Sequence, residues 1–166
     1  MRAHSEYPAL IDVARAARPV SRGDAMRLVV DLLWRAFGGE SRWSWVGFYE
    51  RAPGGEAEMV LVCREPKPAC SPIGLHGMCG KGLLTKHALV IDDVRTLGEN
   101  YVACDPRDLS ELVVPVIGAD GACDAVLDAD SFEVGAFTRE DAAGCWALMH
   151  AAGLVAGERP EIERVY

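Results

Sequence analysis

The sequence predicts an α+β domain built on an antiparallel sheet, and three observations carry that expectation. Helical periodicity is confined to two stretches near the amino terminus, a short one in the middle and one near the carboxyl terminus. Apolar runs of strand length fill the interval between them. Turn sequences such as Ala52-Pro53-Gly54-Gly55 and Gly118-Ala119-Asp120-Gly121 join consecutive runs as hairpins or meanders, with the helices expected on one face.

Taken in order, residues 6–17 place Tyr7, Leu10, Ile11 and Ala14 on one stripe, a short helix that Pro19 ends. Ser21-Arg22-Gly23-Asp24 reads as a capping box. Behind it Val29, Leu32, Leu33 and Ala36 recur at helical spacing until Gly38-Gly39. As a strand, residues 43–49 set Trp43, Trp45, Gly47 and Tyr49 on one face and Val46 and Phe48 on the other. Trp45 and Tyr49 are then either core or a pocket wall, and Gly47 between them leaves room for a ligand. Met59 to Cys63 returns as the second strand of a hairpin.

Residues 64–80 form a long loop punctuated by proline and glycine, carrying Cys70 and Cys79, and such loops are commonly functional. A short helix over 81–87 puts Cys79 near a helix amino terminus, where unpaired amides favour an anion. After a strand over 88–91, a polar loop over 92–110 carries Cys104. Two strands follow, one opened by Glu111 and one ending Leu127-Asp128-Ala129-Asp130. Alternation puts Asp128 and Asp130 on one face, while Cys123 and Ala125 join Leu127 and Ala129 on the other. Thr138-Arg139-Glu140-Asp141 caps a last helix with Ala142, Cys145, Trp146 and Met149 as its buried stripe. The expected organisation is a helical segment over 1–20, one domain over 21–156 and a polar tail over 157–166 that frays.

Half of the 166 residues are hydrophobic, which suits one cored domain and is short for two. The formal net charge of −8 argues against nucleic acid and anionic membrane as partners. No signal peptide is recognisable, and no apolar stretch approaches the roughly 18 residues of a membrane helix, so a cytoplasmic protein is expected. In a reducing compartment the six cysteines stay free thiols. There is no C-x-x-C and no paired histidine, so neither a metal nor another cofactor is expected.

Cys63, Cys123 and Cys145 fall within elements and read as small hydrophobes. Cys70, Cys79 and Cys104 fall in loops, and three loop thiols suggest thiol–disulfide chemistry with a nucleophile and a resolving partner. Glu111, Asp128 and Asp130 are embedded in apolar strand sequence. If the two strands are neighbours, a thiol and three carboxylates meet at one end of a sheet. Clustered carboxylates repel, so one stays protonated or they await a cation. A protonated carboxyl donates to an oxygen and an ionised one holds an ammonium group, which suits a small zwitterion with an oxygen to be removed.

Trp45-Val46-Gly47-Phe48-Tyr49, Lys67-Pro68-Ala69-Cys70, Gly77-Met78-Cys79-Gly80, Ala103-Cys104-Asp105, Ser110-Glu111-Leu112-Val113-Val114-Pro115 and Val126-Leu127-Asp128-Ala129-Asp130-Ser131 occur in this order. As an ordered set they resemble the free methionine-(R)-sulfoxide reductases, which are single GAF domains. The resemblance spans residues 21–155. It implies a six-stranded antiparallel GAF sheet flanked by helices, a homodimer, and reduction of free methionine sulfoxide with thioredoxin as the electron donor. By matched position it implies Cys104 as nucleophile, Cys70 as resolving cysteine and Cys79 as a third redox cysteine, with Cys104 and Cys79 alternatives for the first role. It also implies Glu111, Asp128 and Asp130 as the acidic substrate-binding set, Glu111 being the acid, and Trp45 and Tyr49 as a wall near the methyl group. Two departures stand out. The Cys70–Cys79 segment is one residue short of the family spacing, and Pro106-Arg107-Asp108-Leu109 follows Cys104 where small residues are usual. The rival readings are a non-catalytic GAF module that binds a small ligand and a redox or metal sensor.

Overall fold

The structure is a computed structural model and describes residues 4–39, 42–55, 57–101 and 104–166. Ala103, one residue of the motif around Cys104, lies outside them. The chain runs α1 (Tyr7–Ala17), α2 (Arg22–Phe37), β1 (Trp45–Arg51), β2 (Glu58–Glu65), β3 (Ile73–Gly74), α3 (Met78–Thr85), β4 (Ala88–Ile91), β5 (Ser110–Ile117), β6 (Cys123–Ser131), α4 (Arg139–Ala151) and β7 (Ile162–Val165). The strands form one sheet in the order β3-β2-β1-β6-β5-β4-β7. All neighbours are antiparallel except β4 and β7, which are parallel. The sheet thus has seven strands rather than six. The seventh comes from the tail that was expected to fray: Ile162 to Val165 pair along β4, whose edge would otherwise present unpaired amides.

The helices cap as their sequences suggest, with one difference. In α4 the Thr138 hydroxyl accepts from the Asp141 amide and the Asp141 carboxylate accepts from the Thr138 amide, a complete capping box. In α2 the Ser21 hydroxyl accepts from the Asp24 amide, and this is the half of the box that forms. The first helix is tied to the last: the Tyr7 hydroxyl donates to Asp141 at 3.0 Å, and the Tyr7 ring fills the space where Gly144 lacks a side chain.

Helices cover both faces, not one. On the first face α1, α2 and α4 pack Ala14, Met26, Val29, Leu33, Cys145 and Met149 against Val46, Phe48, Leu112, Val114, Leu127 and Ala129. On the second face α3 packs Met78, Cys79 and Leu83 against Trp45, Tyr49, Leu89, Ile91, Val113 and Val126. Strand alternation explains this split, with two exceptions. Trp43 lies before β1, in a bridge to Gly38, and packs with the first face beside Phe37 rather than in line with Trp45. Cys123 sits where the β5–β6 register shifts, between Val116 and Ile117, and packs with the second face, not beside Ala125.

Candidate active site

Register alone builds the floor of the site. Asp130 pairs with Trp45 of β1 and with Glu111 of β5, and Glu111 pairs in turn with Ile91 of β4. One step along, Asp128 pairs with Gly47 and Val113. Glu111, Asp128 and Asp130 therefore occupy adjacent points on the second face, with Trp45 and Tyr49 on the flanking strand. The neighbour relation expected of the two acidic strands is present, although Ser110 precedes Glu111 at the start of β5.

Gly47 is glycine for a reason other than ligand access. A β-carbon there would meet the Trp45 ring at 2.4 Å and the Cys63 carbonyl oxygen at 2.8 Å. The indole therefore lies over its own strand and fills the space that the sequence left to a ligand. Its Nε1 donates to the Lys67 carbonyl at 2.8 Å, and the Tyr49 hydroxyl donates to the Cys70 carbonyl at 2.7 Å. These two bonds staple the loop carrying Cys70 across the wall made by the two rings, whose centroids are 6.0 Å apart.

The loop that carries Cys104 closes the other side. Asp105 turns it, accepting from the Arg107 amide, and pairs with Arg107 and Lys67. Those cations hold its carboxyl well below the usual carboxylate range. The Asp105 charge is thus spent on Arg107 and Lys67 rather than on the neighbouring Cys104 thiol. Cys104 is exposed, as is Cys70, which is near enough to act on its titration. Partial burial and the Cys70 thiol push Cys104 up to about 12.

Cys79 departs from the expectation of a loop thiol activated by a helix terminus. It occupies the first turn of α3, which begins earlier than the sequence suggested, and only 5 % of it is exposed. Burial raises its thiol well above the ordinary value, and Asp128, Glu111 and Asp130 raise it further. Desolvation and three acidic neighbours outweigh the helix amino terminus.

The acidic set is deeply placed. Glu111 and Asp128 are 5 % and 6 % exposed and lie beside the Cys79 thiol. Asp130 lies among protein atoms but keeps an opening to the mouth. Burial and then the Asp130 charge push Glu111 up to about 8, while burial raises Asp128 and Asp130 well above the usual carboxylate range. Glu111 Oε2 and Asp128 Oδ1 are buried with no hydrogen-bond partner. The Cys79 sulfur and one oxygen each of Glu111 and Asp128 lie within 4.8 Å of one another, a spacing that could hold a metal ion.

The acidic set, Cys79, Cys104 and the aromatic wall line one cavity that opens at a mouth. Trp45, Tyr49, Cys79, Cys104, Glu111, Asp128 and Asp130 all face it, and among the described residues no lysine, arginine or histidine does. Cys70 contributes at the rim through its proximity to Cys104. Ile73, Met78, Tyr101 and Asp108 complete the lining and were missed in the sequence. Asp108 is 5 % exposed, accepts from the Ser44 hydroxyl at 2.9 Å, and burial pushes it up to about 6. Tyr101 and Met78 carried no signal distinguishing them from core. Chemically, the cavity offers exposed thiols near its mouth and carboxyls that stay protonated near neutrality in the empty site and that a bound cation would let ionise.

No family model matches the chain. It is 36 % identical over 115 residues to protein ZMO0507 of Zymomonas mobilis, covering 69 % of each chain. It is 34 % identical to a free methionine-R-sulfoxide reductase of Escherichia coli, over 64 % of this chain and 62 % of that one. With the reductase of Saccharomyces cerevisiae it shares 33 % identity over 59 % and 54 % of the respective chains. The matched regions thus span less than two thirds of both reductases. Among solved structures, a protein described as a GAF sensor from Burkholderia vietnamiensis superposes with a TM-score of 0.78 at 30 % identity, over 92 % of this chain and 94 % of that one. The free methionine-R-sulfoxide reductase of Neisseria meningitidis, solved in complex with its substrate, gives 0.75 at 26 % identity over 93 % and 92 %.

Proposed function

Because the chain belongs to the GAF family that includes the free methionine-(R)-sulfoxide reductases, we propose that it is such an oxidoreductase, converting free methionine (R)-sulfoxide to methionine with its own thiols. The observation that carries this reading is the pairing of an exposed Cys104–Cys70 thiol couple with a buried carboxyl cluster across one cavity.

The amino acid enters with its thioether end toward Trp45 and Tyr49, where sulfur–aromatic contact is mildly favourable. Its ammonium group sits among Asp128, Asp130 and Asp108, supplying the positive charge that the lining lacks. With that charge in place the Cys104 thiol ionises more readily, so activation is coupled to the presence of a free amino acid. The thiolate attacks the sulfoxide sulfur while Glu111, protonated near neutral pH, gives its proton to the departing oxygen. This forms a bond between the Cys104 sulfur and the substrate sulfur; the hydroxyl then passes to the Cys104 sulfur as that bond's electron pair returns to the substrate, releasing methionine and leaving Cys104 as a sulfenic acid. The Cys70 thiol then displaces water to form a disulfide, which a dithiol protein of the thioredoxin type reduces by exchange. Cys79, buried beside Asp128 in the lining of the same cavity, serves as a third redox thiol.

The same chemistry requires a reducing compartment, which agrees with a cytoplasmic setting. Among the described residues no helix is long and apolar enough to cross a membrane. A homodimer, as the resemblance implies, is the proposed assembly. The test is incubation of the purified protein with racemic free methionine sulfoxide and dithiothreitol, followed by chiral analysis. Loss of the R form with release of methionine is expected; absence of any methionine defeats the reading.

A further inference from the structure

We propose that the floor of the cavity is also a binding site for a zinc-class divalent metal, held by Cys79, Glu111 and Asp128. This inference concerns the same pocket but does not need it to be catalytic.

Three independent features point to it. The Cys79 sulfur and one carboxylate oxygen from each acid lie within 4.8 Å of one another. Zinc bonds of about 2.0 to 2.3 Å set tetrahedral ligands roughly 3.6 Å apart, so side-chain adjustment below the helix suffices. Glu111 Oε2 and Asp128 Oδ1 are buried without a hydrogen-bond partner, and both side chains line the cavity. Finally, among the described residues the lining holds no basic side chain, and the nearby Lys67 and Arg107 are committed to Asp105. A dication satisfies the unpaired oxygens and lets both carboxyls ionise with no basic side chain to help, whereas water does only the first.

The donor set selects the metal class. One thiolate and two carboxylates suit a borderline cation such as Zn²⁺, whereas Mg²⁺ and Ca²⁺ want oxygen alone. The ligands come from three elements, α3, β5 and β6, so the site is fixed by the fold rather than by a loop. Three protein ligands leave a fourth position, open toward the cavity mouth, for water. On binding, the Cys79 thiol and the Glu111 and Asp128 carboxyls that are protonated in the empty site lose their protons to solvent, and no redox change occurs. Metal and a free amino acid's ammonium group call on the same carboxylates, so occupancy by one excludes the other.

Equilibrium dialysis of the reduced protein against Zn²⁺, with metal analysis of the retained protein, reads the site directly. One zinc per chain is expected, together with a thiolate-to-metal charge-transfer band when Co²⁺ replaces Zn²⁺. The double variant Cys70→Ser/Cys104→Ser is expected to keep the site. Cys79→Ser is expected to abolish the band, and Asp128→Asn to weaken zinc binding at least tenfold. Glu111→Gln is the second carboxylate variant should Asp128→Asn melt early in a thermal scan. Zinc lost in the double variant but kept in Asp128→Asn and Glu111→Gln would place it on the surface thiols and overturn the proposal, as would stoichiometry far below one. None of these readouts involves turnover: an inactive protein that binds zinc leaves this inference standing, and an active one that does not refutes it alone.

Discussion

Cys104 and Cys79 face one cavity from opposite environments, one exposed beside Cys70 and the other buried beside Asp128. If the exposed thiol is the nucleophile, Cys104→Ser abolishes turnover even with excess dithiothreitol. Cys70→Ser then spares the dithiothreitol reaction and damages the thioredoxin-driven one, because a small thiol replaces a resolver. Single-variant kinetics with each reductant check both; activity in Cys104→Ser with none in Cys79→Ser would exchange their roles. The carboxylates divide differently. Glu111→Gln removes the proton donor and is expected to lower kcat by about 10²–10⁴-fold. Asp130→Asn is expected to raise KM at least tenfold with a smaller change in kcat, since it touches binding of the ammonium group. These residues were legible in the sequence because polar groups interrupt apolar strands there. Asp108 was not, because a carboxylate in a polar loop looks solvated until tertiary packing buries it against Ser44.

At the scale of elements, period-two alternation located the acidic face correctly, and it failed where a residue stands outside regular pairing. Trp43 precedes its strand and Cys123 sits at a register shift, so each packs on the face opposite to the expected one. The role of Gly47 was also invisible, because what occupies the space above it is the Trp45 ring, two residues away on the same strand. Gly47→Ala therefore forces the indole from its place or the strand from its neighbour, since the Cys63 carbonyl oxygen is a backbone atom. A loss of about 1–3 kcal/mol is expected in urea unfolding. Because the indole also holds the Lys67 carbonyl, KM for the sulfoxide is expected to rise as well. Unchanged stability would mean that the ring does not lie where the structure puts it. The tail misled for a related reason: Ile162 to Val165 alternate too briefly to announce a strand, and only the exposed edge of β4 makes them one.

For the whole molecule, the composition said little about where charge would be buried. That burial has a consequence for stability. Glu111 at about 8 and Asp108 at about 6 both hold protons more tightly in the folded chain than in the unfolded one. Between their unfolded values, near 4, and these folded values, the folded state binds more protons, so stability falls as pH rises. The melting temperature is expected to decline from pH 5 to pH 8, and Glu111→Gln is expected to flatten the decline. A melting temperature that rises steadily over that interval would show that these carboxyls are ionised in the folded state. Asp105 works in the opposite direction, but its window lies below the ordinary carboxylate value and does not overlap this one.

The central claim is that a buried carboxyl cluster, with no basic side chain in the described lining of its cavity, recognises the ammonium group of a free amino acid. Acylating that group removes its charge and leaves the carboxylates unpaired, a loss of about 2–5 kcal/mol for a buried charge pair. The direct measurement is kcat/KM of the purified protein on free methionine sulfoxide and on N-acetylmethionine sulfoxide, under the same reductant. A preference for the free amino acid of at least tenfold is expected, and equal values on the two substrates would contradict the claim.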